Sequence, residues 1–157
     1  MKSGVLFRLM MCVAALFCFT SCFNDDDNKE LVIDPLGYNY SGTITILDPN
    51  DGSKYIEDEV KVQVQFDEKE EKATLIVYNV KFAEAMPVRL DMTVDGLSYQ
   101  NGSGYIILGG SNIIPYAMGG PFPLYTIKDF IGQLMPQEFV FSMTCGEYPV
   151  SYIGKAF

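Results

Sequence analysis

Few residues in this chain are suited to chemistry. It has no histidine and no tryptophan, four cysteines, 20 Asp and Glu and 11 Lys and Arg in 157 residues. Without imidazole, Ser-His-Asp and Cys-His nucleophilic sites are excluded, as is every zinc site built on histidine. Carboxylates, Lys, Tyr or a lone thiol remain. Asp48, Asn50 and Asp51, with Glu57, Asp58 and Glu59 nearby, carry the oxygen ligands that calcium takes. Ser53, however, stands where the invariant glycine of a calcium loop belongs, so the segment reads as a hairpin turn. Glu68, Glu70 and Glu71 read as a wet turn, because a general acid needs an apolar surround to raise its pKa. Arg89 and Asp91 share the polar face of one strand. No catalytic residue, metal site or cofactor is expected, and the chain reads as a non-enzyme; a carboxylate-only hydrolase is the enzymatic alternative. A formal net charge of −9 speaks against nucleic acid as a partner.

Two further features carry binding or reactive potential. Gly109 to Pro123 is rich in Gly and Pro, apolar and uncharged. Long irregular connections in small domains are often functional. Read as a lid over a barrel mouth, this one would offer Tyr116, Met118 and Phe122 to a small apolar or sugar-like ligand. Read as a plug, it would complete the core. Its glycine pairs lack the strand–loop–helix context and the lysine of a phosphate cradle. Cys145 falls in phase with Phe139, Phe141 and Met143, which makes it a small buried apolar side chain in place of a reactive thiol.

The N-terminus reads as an address. Lys2 and Arg8 precede an apolar run from Leu9 to Phe19, too short to span a bilayer, and small polar residues follow. Phe19-Thr20-Ser21-Cys22 resembles the lipobox of bacterial lipoproteins, with Phe19 where an aliphatic residue is usual. The resemblance makes Cys22 the lipidated residue. Acyl chains such as palmitate on that one residue would give anchoring that a single chain cannot. Cleavage would remove Lys2 and Arg8 and no acid, taking the net charge from −9 to −11. Cys12 and Cys18 would leave with the signal, so no disulfide framework is expected. Phe23 to Glu30 is polar and self-repelling, hence a tether. Asp25, Asp26 and Asp27 within it resemble the acidic surface-export signal of Bacteroidetes-type lipoproteins. The expectation is a lipid-anchored outer-membrane protein displayed at the cell surface, the alternative facing the periplasm, with the membrane met through Cys22.

The elements that must position these residues are strands. Tyr38, Tyr40, Gly42, Ile44 and Ile46 alternate with polar residues, as do Val60 to Phe66, Val88 to Val94 and Phe139 to Met143. Tyr148 to Phe157 reads as a last strand. Pro49-Asn50-Asp51-Gly52, Glu68 to Glu71, Asp95-Gly96 and Asn101-Gly102 read as turns. Ile127 to Leu134 is ambiguous between strand and a helical turn. Short, regular spacing and tight turns predict an all-β fold, a single small antiparallel up-and-down barrel of about eight strands. Residues 1–21 read as signal peptide, 22–35 as lipidated acidic tether and 36–157 as barrel.

Tyr40-Ser41-Gly42-Thr43-Ile44-Thr45-Ile46, Thr74 to Asn79 with Phe82, Met86-Pro87-Val88, Met92-Thr93-Val94-Asp95-Gly96 and Tyr152-Ile153-Gly154 together resemble the calycin-like, lipocalin-related domain of secreted Bacteroidetes-type lipoproteins. The resemblance implies a small β-barrel and supplies no catalytic residues. Binding of a small apolar or carbohydrate ligand, or of a partner, is the function expected; a structural protein with a filled barrel is the alternative.

Overall fold

Among the described residues ten strands follow one another: β1 (Tyr38–Leu47), β2 (Lys54–Asp67), β3 (Lys72–Val80), β4 (Leu90–Asn101), β5 (Ile106–Gly110), β6 (Tyr116–Ala117), β7 (Gly120–Pro121), β8 (Ile127–Leu134), β9 (Glu138–Cys145) and β10 (Tyr148–Ala156). The computed structural model describes Leu31, Ile33, Asp34, residues 36–82, Glu84 and residues 86–157; the signal-like segment, Cys22 and Asp25, Asp26 and Asp27 lie outside the described residues. Each long strand pairs antiparallel with its neighbour in sequence, and β10 returns to β1 through Tyr40↔Ala156 to Ile46↔Val150. Strands β1–β5 and β8–β10 thereby form a closed, eight-stranded up-and-down barrel, as the alternation predicts. Closure pairs every long edge and leaves none as a template for aggregation.

Alternation puts one face of each strand inside. Tyr40, Ile44 and Ile46 of β1, Val60, Val62 and Val64 of β2, and Phe139, Phe141, Met143 and Cys145 of β9 are all buried. No polar or charged residue is buried among the described residues. The half of the barrel built from β1 and β8–β10 carries a continuous cluster of rings. Tyr40 lies 5.4 Å from Phe139, Phe139 5.3 Å from Phe141, and Phe141 stacks on both Phe130 and Tyr152. The half built from β2–β5 fills the opposing space with Val, Leu, Ile and Met. Both buried phenols keep a partner: the Tyr40 hydroxyl donates to the Met135 carbonyl at 2.7 Å and the Tyr152 hydroxyl to that of Val60 at 3.1 Å. Each buried ring contributes about 2–3 kcal/mol by leaving water.

Three expectations are corrected and one ambiguity is resolved. Asp95-Gly96 is not a turn but a bulge within β4: Ala73 pairs with Leu97 and Leu75 with Val94, so β4 carries one extra residue. Gly96 supplies the positive φ of 81° that the bulge needs, and Asp95 accepts hydrogen bonds from its amide and from the Thr74 hydroxyl. Ile127–Leu134 is a strand, β8, with its own irregularity between Lys128 and Ile131. Val88 lies outside β4 and is exposed. Leu31 and Ile33, assigned above to the tether, are half-buried against the core, so the folded unit begins before residue 36.

Up-and-down topology sorts the connections to two ends. The N-terminal end carries the approach to β1, the turns Glu68–Glu71, Gly102–Tyr105 and Met135–Gln137, and Phe157. The far end carries the β1–β2 turn, the β3–β4 loop, the β5–β8 insertion and the Gly146–Glu147 turn.

Candidate functional site

The β5–β8 insertion holds the residues singled out for binding. Its first part is a patch on the wall, while Phe122 at its end packs with the rings on the core. β5 is short and reaches only the second half of β4, pairing Ser98–Asn101 with Ile106–Gly109. The exposed edge of the first half of β4 is taken by β6, through Met92↔Ala117 and Thr93↔Tyr116, and β7 folds back on β6. Ile113 joins Ile127 of β8 by two backbone hydrogen bonds, 3.1 and 2.7 Å. The first part of the insertion is therefore a patch that completes the barrel wall. Its turn, Met118-Gly119, has φ of +54° and +82°, the mirror-image hairpin geometry that suits the twist of the strands.

Along this patch side chains alternate. Pro115 and Ala117 face inward; Ile114, Tyr116 and Met118 face solvent, with Met118 71% exposed. Phe122 turns the other way and stacks on Tyr125 with ring centres 5.1 Å apart. Tyr116, Met118 and Phe122 are thus not brought together around one ligand: the first two stand on the outer wall and the third belongs to the interior side.

The ring that Phe122 joins closes the far end. A short 3-10 helix, Pro123–Tyr125, carries Tyr125 across the opening, where it meets Phe82 at 5.6 Å and Tyr148 at 6.5 Å. The Phe122, Tyr125, Phe82 and Tyr148 rings cap the barrel. Nothing in the sequence marked Phe82, Tyr125 or Tyr148 as partners, because they come from two connections and the start of β10, far apart in the chain. Two recesses flank Tyr148. One of about 230 Å³ lies beside Tyr55, Phe82 and Glu84; the other, about 550 Å³, lies between the 3-10 helix and the Gly146–Glu147 turn. At the N-terminal end, Phe66 stands edge-on to both Tyr38 and Tyr99, with ring centres 6.0 and 5.0 Å away.

Of the acidic groupings, Asp48, Asp51 and Asp67 serve the backbone, while Glu57 pairs with Arg89 and Asp58 accepts from the Thr43 hydroxyl. Asp48 Oδ1 accepts from the Asn50 amide at 2.8 Å, Asp51 Oδ1 from the Ser53 amide at 2.8 Å, and Asp67 Oδ1 from the amides of Lys69 and Glu70. The hydrogen bond from Ser53 holds the Asp51 carboxyl below its ordinary pKa, the opposite direction from that of a general acid. Arg89 and Asp91 do not pair with each other. Arg89 donates to Glu57 and to the Asn79 carbonyl, while Asp91 accepts from the Asn79 amide at 2.8 Å. Together they clamp Asn79, whose φ of +52° marks the irregularity in β3. Cys145 is fully buried, and burial pushes its thiol up to about 12. Its Sγ lies 3.7 Å from the Tyr125 carbonyl.

No protein-family model matches the chain, and no curated protein and no solved structure does either.

Proposed function

We propose that this protein is a lipid-anchored lipoprotein of the bacterial outer membrane, displayed at the cell surface, that acts by non-covalent recognition through the outside of a filled barrel. One observation carries the second half of this reading. The volume in which a lipocalin-like barrel would hold a ligand is occupied by the Tyr40, Phe130, Phe139, Phe141 and Tyr152 rings and by the aliphatic residues facing them. Of the two expectations, a filled barrel used for interaction is therefore favoured over one enclosing a ligand. The recognising elements are those the wall leaves proud of its surface, Tyr116 and Met118 on the β6–β7 patch. Exposed Tyr and Met are suited to contact a partner or a flat sugar face. The calycin-like resemblance agrees with the eight-stranded closure and adds no chemistry to it.

The anchoring half rests on Phe19-Thr20-Ser21-Cys22. Cys22→Ala is expected to move the protein from the membrane to the soluble fraction of lysed cells; retention in the membrane overturns the lipobox reading. Replacing Asp25, Asp26 and Asp27 with Ala is expected to leave lipidation intact and to shield the barrel from protease added to whole cells. Unchanged cleavage would reduce the acidic run to a spacer.

A further inference from the structure

Eleven large hydrophobic side chains are exposed among the described residues, and two of them, Leu36 (83%) and Phe157 (71%), stand on the N-terminal end of the barrel. Exposure alone does not single out that end, since Leu124 and Met118 are as exposed at the far one. Two other observations do. The first is reach. Leu31 already packs on the core. From Cys22 to Leu31 is nine residues of chain, and an extended chain covers at most about 3.3–3.6 Å per residue, or roughly 30 Å in all. Whatever holds Cys22 holds this end of the barrel close to it.

The second is charge. Ser41 in β1 pairs with Lys155 on one side and Lys61 on the other, so the register sets two exposed lysines in a row across β10, β1 and β2. The Lys61 ammonium lies 5.4 Å from the centre of the Phe157 ring. Leu36 completes the same sector through Gly37, which sits against the Val64 carbonyl of β2. In a chain of net charge −9, this pairing of lysines with an exposed aromatic and an exposed aliphatic side chain is unlike its surroundings. Glu138 faces Lys155 from β9, and the Glu68–Glu71 turn occupies the β2–β3 sector of the same end. Contact with an anionic surface is thereby confined to the sector of β10, β1 and the part of β2 beside them.

We propose that this sector rests on the lipid surface, with Phe157 and Leu36 at the headgroup boundary and Lys61 and Lys155 against lipid phosphates. The inference rests on the reading that Cys22 is acylated. Aromatic and lysine side chains suit that boundary, the ring entering it while the ammonium stays hydrated. Anionic headgroups attract lysines held within a Debye length. The barrel then stands upright on its anchor with the β6–β7 patch and the far-end recesses directed away from the membrane.

The chain has no tryptophan, so a single introduced indole reports its own surroundings. Acylated Phe157→Trp, Leu36→Trp and Met118→Trp proteins are reconstituted into phosphatidylcholine–phosphatidylglycerol vesicles carrying brominated acyl chains. The first two are expected to show a blue-shifted, bromine-quenched emission; Met118→Trp is expected to emit as in water. Adding Lys61→Glu and Lys155→Glu to Phe157→Trp is expected to weaken the quenching. Vesicle-bound Phe157→Trp protein that is no more quenched than Met118→Trp overturns the inference and leaves the anchor standing. A blue shift that follows protein concentration without quenching overturns it in favour of contact between copies. Failure of the acylated preparation to float with vesicles overturns the anchor itself and this inference with it.

Discussion

Among the described residues, Cys145, Tyr40 and Tyr152 are the ionisable side chains most changed by folding, and they make a pH-dependence at the residue scale. Burial raises the thiol from 9.0 to about 12, and burial is the leading cause that raises both phenols above their usual 10.0. The unfolded chain therefore gives up protons at a pH where the folded one keeps them. Stability contributed by Cys145 is whole below about pH 9 and is lost as pH rises toward 12, with the tyrosines adding to the loss above pH 10. Each proton so released costs about 1.4 kcal/mol per pH unit. Urea midpoints are expected to fall steeply between pH 8.5 and pH 11; a flat profile would contradict the burial. The same burial is expected to keep Cys145 silent to a thiol reagent until denaturant is added. Phe141 touches Phe130, Phe139 and Tyr152 at once, so Phe141→Ala is expected to cost about 3–5 kcal/mol, read from the denaturant midpoint.

Elements were legible where the period held at two and illegible where a bulge broke it. In β8, Ile127 and Phe130 both point inward because Asp129, at φ +50°, sits in an irregularity of the ladder. That leaves a spacing of three between buried residues, which imitates a helical turn. In β4 the Asp95-Gly96 pair has the composition of a hairpin turn, yet the chain runs on through it to Asn101. Local turn chemistry was read correctly and its setting was not, since a bulge and a turn both call for a glycine at positive φ. An added Cβ at Gly96 would meet nothing within 4 Å, so the cost of Gly96→Ala is conformational alone. About 1–2 kcal/mol of lost stability is expected, with the β signature in circular dichroism retained. Loss of the fold would show that more than backbone freedom is at stake there.

The whole molecule divides the functional question into an outside and an inside. Its all-β closure follows from eight amphipathic strands and was visible in the sequence. The fate of the Gly109–Pro123 segment was not, because its role depends on how short β5 is against β4. Burial alternates from Ile113 to Met118, but every residue there is apolar, so the strand period could not be read from residue types. Tyr116 and Met118 fall on the wet side of that alternation, while Phe122 falls in with the rings of the far-end cap, which come from separate parts of the chain and could be joined only in three dimensions. A core completed by aromatic side chains is expected to be dry, and the proposed recognition is then left to the outer wall. The most direct measurement is a titration of the native protein with a fluorescent fatty-acid analogue. No saturable one-to-one binding is expected; a stoichiometric isotherm displaced by unlabelled fatty acid would mean that the barrel opens to hold a ligand, and would contradict the account.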